Sequence, residues 1–364
     1  MEYFRNHEEY LRPYWQTTKI VDESIMPVRF KQEEGKKLPD IDFDTADGFS
    51  IQLMHDIGRV ISVRTATHDM TFEAGIDYKV IDGRLVIPDG SRIKVMRQDE
   101  YIIDRDNGFA CTEGGWLAFG ESNCFHKLQY TVSYEPTSNS FDGKYRPEVS
   151  PRLEGSRRLL DSGKLKLAFY GDSITYGCNA SGLSSGLPPY MPIYPLLAAE
   201  TLRGRGHAID YYNPSIGGMS SIWGRDRAAY YFDDFKPDLV MIAFGMNDGS
   251  GRMPVDKFIE NTRSIIYTVR ASNPDAEFVL CATTLPNRLA KGFYGLQEEY
   301  EQPLSELADT EDCAFLDMTE LHRILLSRKA YHHMTGNNIN HPSDFLARLY
   351  AQGLLALLGA EGSR

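Results

Sequence analysis

From residue 165 onward, short apolar runs alternate with longer stretches of helical periodicity, and few folds accept that rhythm. The runs are LKLAFY (165–170), IDYYN (209–213), DLVMIAF (238–244), EFVLCAT (277–283) and AFLD (314–317). Between them YPLLAAETLRGRG, residues 255–271 and EEYEQPLSELADT read as helices, and DFLARLYAQGLLALLG closes the chain. Short runs that are mostly apolar, without strict alternation, are buried on both faces, as parallel strands covered by helices are. The expected architecture for residues 160–364 is therefore α/β: a three-layer, doubly wound parallel sheet.

The first half follows a different pattern. From about Gly48 to Tyr134 the chain shows short alternating runs such as SIQLMHDI, RVISVRTA and KLQYTVSY, with almost no helical period. Asp82-Gly83 and Asp89-Gly90 are hairpin-type turn signals. An antiparallel, jelly-roll-like β-sandwich is expected here, occupying residues 1–150 together with its leading segment. The polar stretch 135–158, rich in Pro, Gly and Ser, reads as a surface connection. A length of 364 residues suits two domains.

Charge and cysteine usage narrow the function classes. A net charge of −12 disfavours nucleic acid and anionic membranes as partners. No run approaches the roughly 18 apolar residues of a membrane span. The opening MEYFRNHEEYLRPYW lacks the apolar core of a signal peptide, so a cytoplasmic location is expected. Five scattered cysteines without CxxC spacing predict neither a disulfide framework nor a zinc site. His332-His333 has no carboxylate or cysteine at ligand spacing and reads as a solvated pair, so neither metal nor cofactor is expected. Oligomeric state is left open.

In doubly wound sheets, ligands sit beyond the carboxyl ends of the strands. The first strand is followed by Gly171, Asp172 and Ser173, the second by NPSIGGMSS with Gly217-Gly218, and the third by FGMND with Asn247 and Asp248. NNINHPSD, containing Asn338, His341 and Asp344, precedes the last helix. Taken alone, Ser173 would pass for a helix N-cap. Together these residues are the parts needed for acyl transfer. A hydroxyl attacks, an imidazole takes its proton, and the Ser173 amide, Gly218 and the Asn247 amide hold the oxyanion. Asp172 and Asp248 read as supporting residues that tie the loops together. Trp223, Met246 and Pro286 read equally as pocket lining or core.

GDSITYG, the Asn213-to-Gly218 spacing, GMND and the late HP together resemble the SGNH (GDSL) hydrolases over about residues 164–358. The resemblance implies Ser173 as nucleophile, Gly218 and Asn247 as oxyanion donors, and His341 as base. The order of sandwich then SGNH domain resembles two-domain carbohydrate esterases. The family usually carries an aspartate three residues before the histidine, where this chain has Asn338. Two compensations are open: a backbone carbonyl that accepts from His341 Nδ1, giving a Ser–His dyad, or a carboxylate from elsewhere, such as Asp344 or Asp248. The dyad is favoured. The expected function is a serine esterase acting on a small-molecule or oligosaccharide acyl ester, O-acetyl on carbohydrate foremost. A lipase or thioesterase for longer chains, and a glycan-binding protein with an inactive second domain, are the alternatives.

Overall fold

The computed structural model describes residues 7–360. All five expected runs are strands: Lys164–Gly171, Ala208–Tyr212, Leu239–Ala243, Glu277–Ala282 and Ala314–Asp317, each paired in parallel. Numbered in chain order, they lie side by side as second, first, third, fourth and fifth. The winding direction reverses between the first and third strands, and such a reversal opens a crevice at their carboxyl ends. Side chains of the first strand alternate between layers. Leu165, Leu167 and Phe169 face a cluster with Leu197, Leu202, Leu349 and Leu354, whereas Ala168 and Tyr170 face Ala228, Phe232, Phe258 and Ile265. The sheet thus lies between two helical layers.

The helices Tyr194–Gly204, Val255–Ser272, Glu301–Thr310 and Asp344–Leu357 fall where the periodicity placed them. Three others do not announce themselves. Ser221–Phe232 carries Gly224 in its first turn, which weakens the helical signal, yet a Cβ there would meet the Phe244 ring at 2.6 Å. Glu154–Ser162 begins inside the stretch read as a connection. Its first turn is capped from a distant strand, with the Gly155 and Ser156 amides donating to the Glu277 carboxylate at 2.7 and 2.8 Å. Met318–Leu326 follows the fifth strand directly, with the Asp317 carboxylate capping its Glu320 amide.

Among the described residues, the first half contains two larger antiparallel sheets beside a two-stranded one, Ile102–Ile103 with Trp116–Leu117. Ile20–Ile25, Tyr130–Pro136 and Ile57–Thr65 form one; Phe43–Thr45, Gly48–Ile51, Arg84–Ile87 and Lys79–Ile81 form the other. Asp82 and Gly83 take φ of +50° and +75°, the pair of left-handed conformations a two-residue hairpin requires. Asp89-Gly90 makes a turn but no hairpin; the chain beyond it pairs in parallel, Met96–Arg97 against Val28–Arg29. The strand Ile20–Ile25 was hidden by its polar sequence, IVDESI, although all six residues are buried. Its charges are matched by distant partners: Glu23 accepts from Lys329 Nζ and Tyr134 Oη, and Asp22 from Arg64 and Tyr10. Burying such charges is tolerable only when they are bonded this fully.

The two halves share a core. A single buried cluster runs from Ile20, Phe49, Val63 and Leu85 into Leu165, Leu197 and Leu349. A second joins Met26, Tyr101, Leu117 and Phe125 to Leu289, Ala290 and Ile339, fastening the first half onto the loop that carries His341. Among the described residues, no helix is long and apolar enough to cross a membrane.

Candidate active site

The first strand ends at Gly171, where a Cβ would meet Thr175 Oγ1 at 2.4 Å and Ala243 O at 2.5 Å. Only glycine lets the backbone turn there. Asp172 caps the short helix Ser173–Tyr176, its Oδ1 accepting from the Ile174 amide at 3.0 Å. The helix stops at Gly177 (φ +95°). Ser173 is thus held at the first position of a one-turn helix at the crevice, with 5% of its surface exposed. Burial pushes the Asp172 carboxyl up to about 7 against the pull of the Ile174 amide, and the charge of Asp248 adds to the rise.

His341 Nε2 lies 2.9 Å from Ser173 Oγ. The loop before it is wound around one side chain: Asn337 Oδ1 accepts from the amides of Ile339, Asn340 and His341 at 3.0, 3.0 and 3.1 Å. The other ring nitrogen, Nδ1, lies 2.6 Å from Asn179 Oδ1. An amide oxygen only accepts, so Nδ1 carries the ring proton and Nε2 offers its lone pair to the serine. Asn179 takes φ +67°, a left-handed conformation asparagine tolerates, and Gly336 makes room for it, since a Cβ there would fall 2.5 Å from Asn179 Cβ. The carboxylate of Glu121, from the first half, stands 3.3 Å from the same Nδ1.

Two expectations about the base are corrected. The acceptor at Nδ1 is a side-chain amide and not a backbone carbonyl. Asn338 does not reach the imidazole; its Oδ1 accepts from Tyr101 Oη at 2.7 Å and its Nδ2 donates to Ala118 O at 2.9 Å. It pins the loop to the first half, with Asn338 itself at φ +71°. Asp344 is likewise engaged elsewhere, accepting from the Ser181 amide at 2.9 Å. Asp248 accepts from the Ser221 amide and Oγ and from the Gly245 amide, at 2.9, 2.5 and 3.2 Å.

The loop after the second strand reaches the serine, and the loop after the third is bonded to it in turn. Asn213 Nδ2 donates to Thr175 O at 2.9 Å, and the Gly171 amide donates to Ser215 Oγ at 2.9 Å. Gly217 lies beside the nucleophile: a Cβ there would be in ordinary contact with Ser173 Cβ, at 3.6 Å. At Gly218 a Cβ would meet no atom within 4 Å, so its glycine answers to φ +79° and not to crowding by the protein. Asn247 Nδ2 donates to Met219 O at 2.9 Å, joining the Gly-Gly turn to the loop after the third strand. Sequence reasoning missed Asn179 and Glu121. Asn179 follows the serine by six residues and is signalled only by its place just past Gly177; Glu121 carries no local signal.

The adjacent histidines are not solvated. Both are buried, and Asp42 joins them with ligand atoms within 4.8 Å of one another. A cation would need a lone pair from each ring. His333 Nδ1 accepts from the Met26 amide at 2.9 Å, which leaves its proton on Nε2, donated to Asp42 Oδ2 at 2.6 Å. Burial pushes His332 down to about 4, keeping it neutral. The His333–Asp42 hydrogen bond ties the halves together, with the His332 ring packed beside it.

Residues 169–349 match the GDSL-like lipase/acylhydrolase family. An arylesterase of Vibrio mimicus is 26% identical over 141 residues, which is 39% of this chain and 66% of that protein. The match therefore spans just under two thirds of the relative's length. Among solved structures, a catalytic mutant of the acetylxylan esterase Axe2 of Geobacillus stearothermophilus is 18% identical, covering 55% of this chain and 96% of that one, with a TM-score of 0.47. The acetyl xylan esterase AlAXEase is 22% identical, covering 53% of this chain and 98% of that one, with a TM-score of 0.43.

Proposed function

We propose that this chain, which through residues 169–349 belongs to the GDSL-like lipase/acylhydrolase family and is a carboxylic ester hydrolase, removes small acyl groups, O-acetyl foremost, from a carbohydrate alcohol. The observation that carries the reading is the 2.9 Å contact of Ser173 Oγ with His341 Nε2, in the tautomer a general base needs.

In this reading His341 Nε2 takes the hydroxyl proton as Ser173 Oγ bonds to the ester carbonyl carbon. The negative charge that forms on the carbonyl oxygen is held by the Ser173 amide, the Gly218 amide and the second hydrogen of the Asn247 amide, whose first is occupied by Met219 O. The carbon–alkoxy bond then breaks, and the imidazolium returns its proton to the departing alcohol. Water repeats the sequence on the acyl-enzyme: His341 takes its proton, acid leaves, and Ser173 regains its hydrogen.

Deep placement of Ser173 and His341, 5% and 8% exposed, supports a small acyl group. The alcohol is inferred from the order of the halves, antiparallel sheets first and hydrolase second, which resembles that of two-domain carbohydrate esterases. The relative described as an arylesterase supports p-nitrophenyl acetate as an assay substrate. The chain should cleave it, and should release acetate from acetylated sugars faster than it cleaves esters of long acyl chains. A preference for long chains would replace this reading with the lipase one. Absence of turnover on every ester, with retained glycan affinity, would replace it with a binding role.

A further inference from the structure

The position that ordinarily supplies the base's carboxylate holds Asn338, which faces away, yet a carboxylate does stand at the correct nitrogen. Glu121 Oε2 is 3.3 Å from His341 Nδ1, and Glu121 Oε1 accepts from Asn337 Nδ2 at 3.1 Å. Asn337 is the residue around which the histidine loop is wound, so both carboxylate oxygens engage that loop. The segment bearing Glu121 is tied down on either side: Asn338 Nδ2 donates to Ala118 O, and Asn179 Nδ2 donates to Ser122 O at 3.2 Å. Among the described residues, Glu121 supplies the carboxylate within 4 Å of a His341 ring nitrogen.

We propose that Glu121, carried by the antiparallel half, is the positioning carboxylate of the His341 base, and that the work of a triad acid is divided between two residues. The proposal rests on the Ser173–His341 reading above. Asn179 holds the single Nδ1 proton through its shorter bond and fixes the tautomer. A neutral amide cannot answer the full charge that appears when the serine proton arrives at Nε2. Glu121 does so across 3.3 Å.

The electrostatics agree. Burial alone would raise the Glu121 carboxyl, but the bond and charge of His341, then the Asn337 and Asn179 amides, outweigh it and hold it below its ordinary value. It is therefore ionised at neutral pH. Cys178, coupled to the same carboxylate, is pushed up to about 11 by burial and stays neutral. Asp172, behind the serine, is pushed to about 7 and titrates in both wild type and variant, so differences between them isolate Glu121. The glutamate side chain is 49% exposed, so water screens it more than it would a buried aspartate.

The test uses the full chain with three variants: Glu121→Gln, which removes the charge and keeps the shape, Glu121→Asp, and the double variant Glu121→Gln with Asn179→Asp. With p-nitrophenyl acetate, Glu121→Gln should lower kcat about 10- to 100-fold with KM little changed. The loss stays below the roughly 10⁴ of a triad whose tautomer is also wrong, because Asn179 still fixes the ring. Imidazolium forms less readily without its anion, so the acid limb of the pH–rate profile should move to lower pH by about half a unit. Glu121→Asp should recover part of the rate. The double variant, which returns a carboxylate to Nδ1 by another route, should recover more and shift the acid limb back. A purely structural role for Glu121 predicts no such rescue. NMR titration of the His341 ring in wild type and Glu121→Gln needs no substrate, so it separates this proposal from the ester reading. An unchanged titration together with an unchanged kcat would overturn it, whereas a wild type inert to esters would overturn only the ester reading.

Discussion

Ser173 is positioned by its own neighbours, whereas His341 is positioned by strangers. On the serine side, Gly171, Asp172, Thr175 and Gly177 lie within six residues and supply the turn, the cap and the stop. The histidine side draws on Asn337 nearby, Asn179 from another loop, and Tyr101, Ala118 and Glu121 from the opposite half of the chain. The nucleophile belongs to the parallel sheet; the base belongs to the seam between the halves. Damage to the seam should therefore tune the base while leaving the serine poised.

The coarsest way to break this contrast is to delete each partner. Ser173→Ala and His341→Ala should each lower kcat by about 10⁵-fold or more, and both together should cost little beyond either alone, because the two act as one unit. Circular dichroism should show both variants folded. A loss of less than about 100-fold for His341→Ala would mean that another group takes the serine proton.

Next in size is Asn179→Ala. It removes the acceptor that keeps the proton on Nδ1, so the ring is free to turn or to adopt the other tautomer. Expected is a fall in kcat of about 10²- to 10³-fold with KM nearly constant, measured on p-nitrophenyl acetate. Equal activity of Asn179→Ala and wild type would show that the short amide contact does not set the base.

How much of this could be read from residues alone follows the same division. The five parallel strands, the hairpin at Asp82-Gly83 and the Ser173–His341 pairing are written in local patterns: mostly apolar runs, two residues suited to left-handed φ, and motif blocks at strand ends and before the last helix. The strand Ile20–Ile25 was illegible because its burial depends on Lys329 and Arg64, far away in sequence. Asp42 could not be placed beside His332 and His333 for the same reason. The motif pattern singled out Asn338 as a departure, but the residue takes no part at the imidazole, and nothing within ten positions of His341 reveals Asn179 or Glu121. Motifs record what neighbours do for one another, and a seam is made by residues that are not neighbours.

The serine side can be examined through stability, where a smaller and pH-dependent effect is expected. Asp172 is buried, and burial raises its carboxyl to about 7, well above an unfolded aspartate. A raised value means the folded state holds the proton more tightly than the unfolded one. No cost is present below about pH 4, where both states are protonated; it grows as pH rises and is fully developed above about 7. Asp172→Asn keeps the oxygen that accepts from the Ile174 amide and discards the charge. Above pH 7.5 the variant should be more stable than wild type, on the order of 3 kcal/mol by urea unfolding, with the gain vanishing near pH 4. A constant difference across that range would show that the carboxylate is not the source.

The smallest effect on rate belongs to Asn338→Ala, and it bears most directly on the contrast. Asn338 occupies the family's acid position, so a chain that used it as such would lose activity as heavily as it does with Asn179→Ala. Here its side chain bonds Tyr101 Oη and Ala118 O, which hold the first half against the histidine loop. Removing it takes the acceptor from the Tyr101 hydroxyl hydrogen and the donor from Ala118 O, and should cost about 1–3 kcal/mol of stability. The change in kcat should stay within about 10-fold, since the Nδ1 acceptor remains in place. A two-axis measurement separates the cases: Asn179→Ala should lose rate heavily and some stability, because its bond to Ser122 O goes too, whereas Asn338→Ala should lose stability and keep rate. If Asn338→Ala loses rate as heavily as Asn179→Ala, seam and base are one structure, and the division of labour between Asn179 and the first half does not hold.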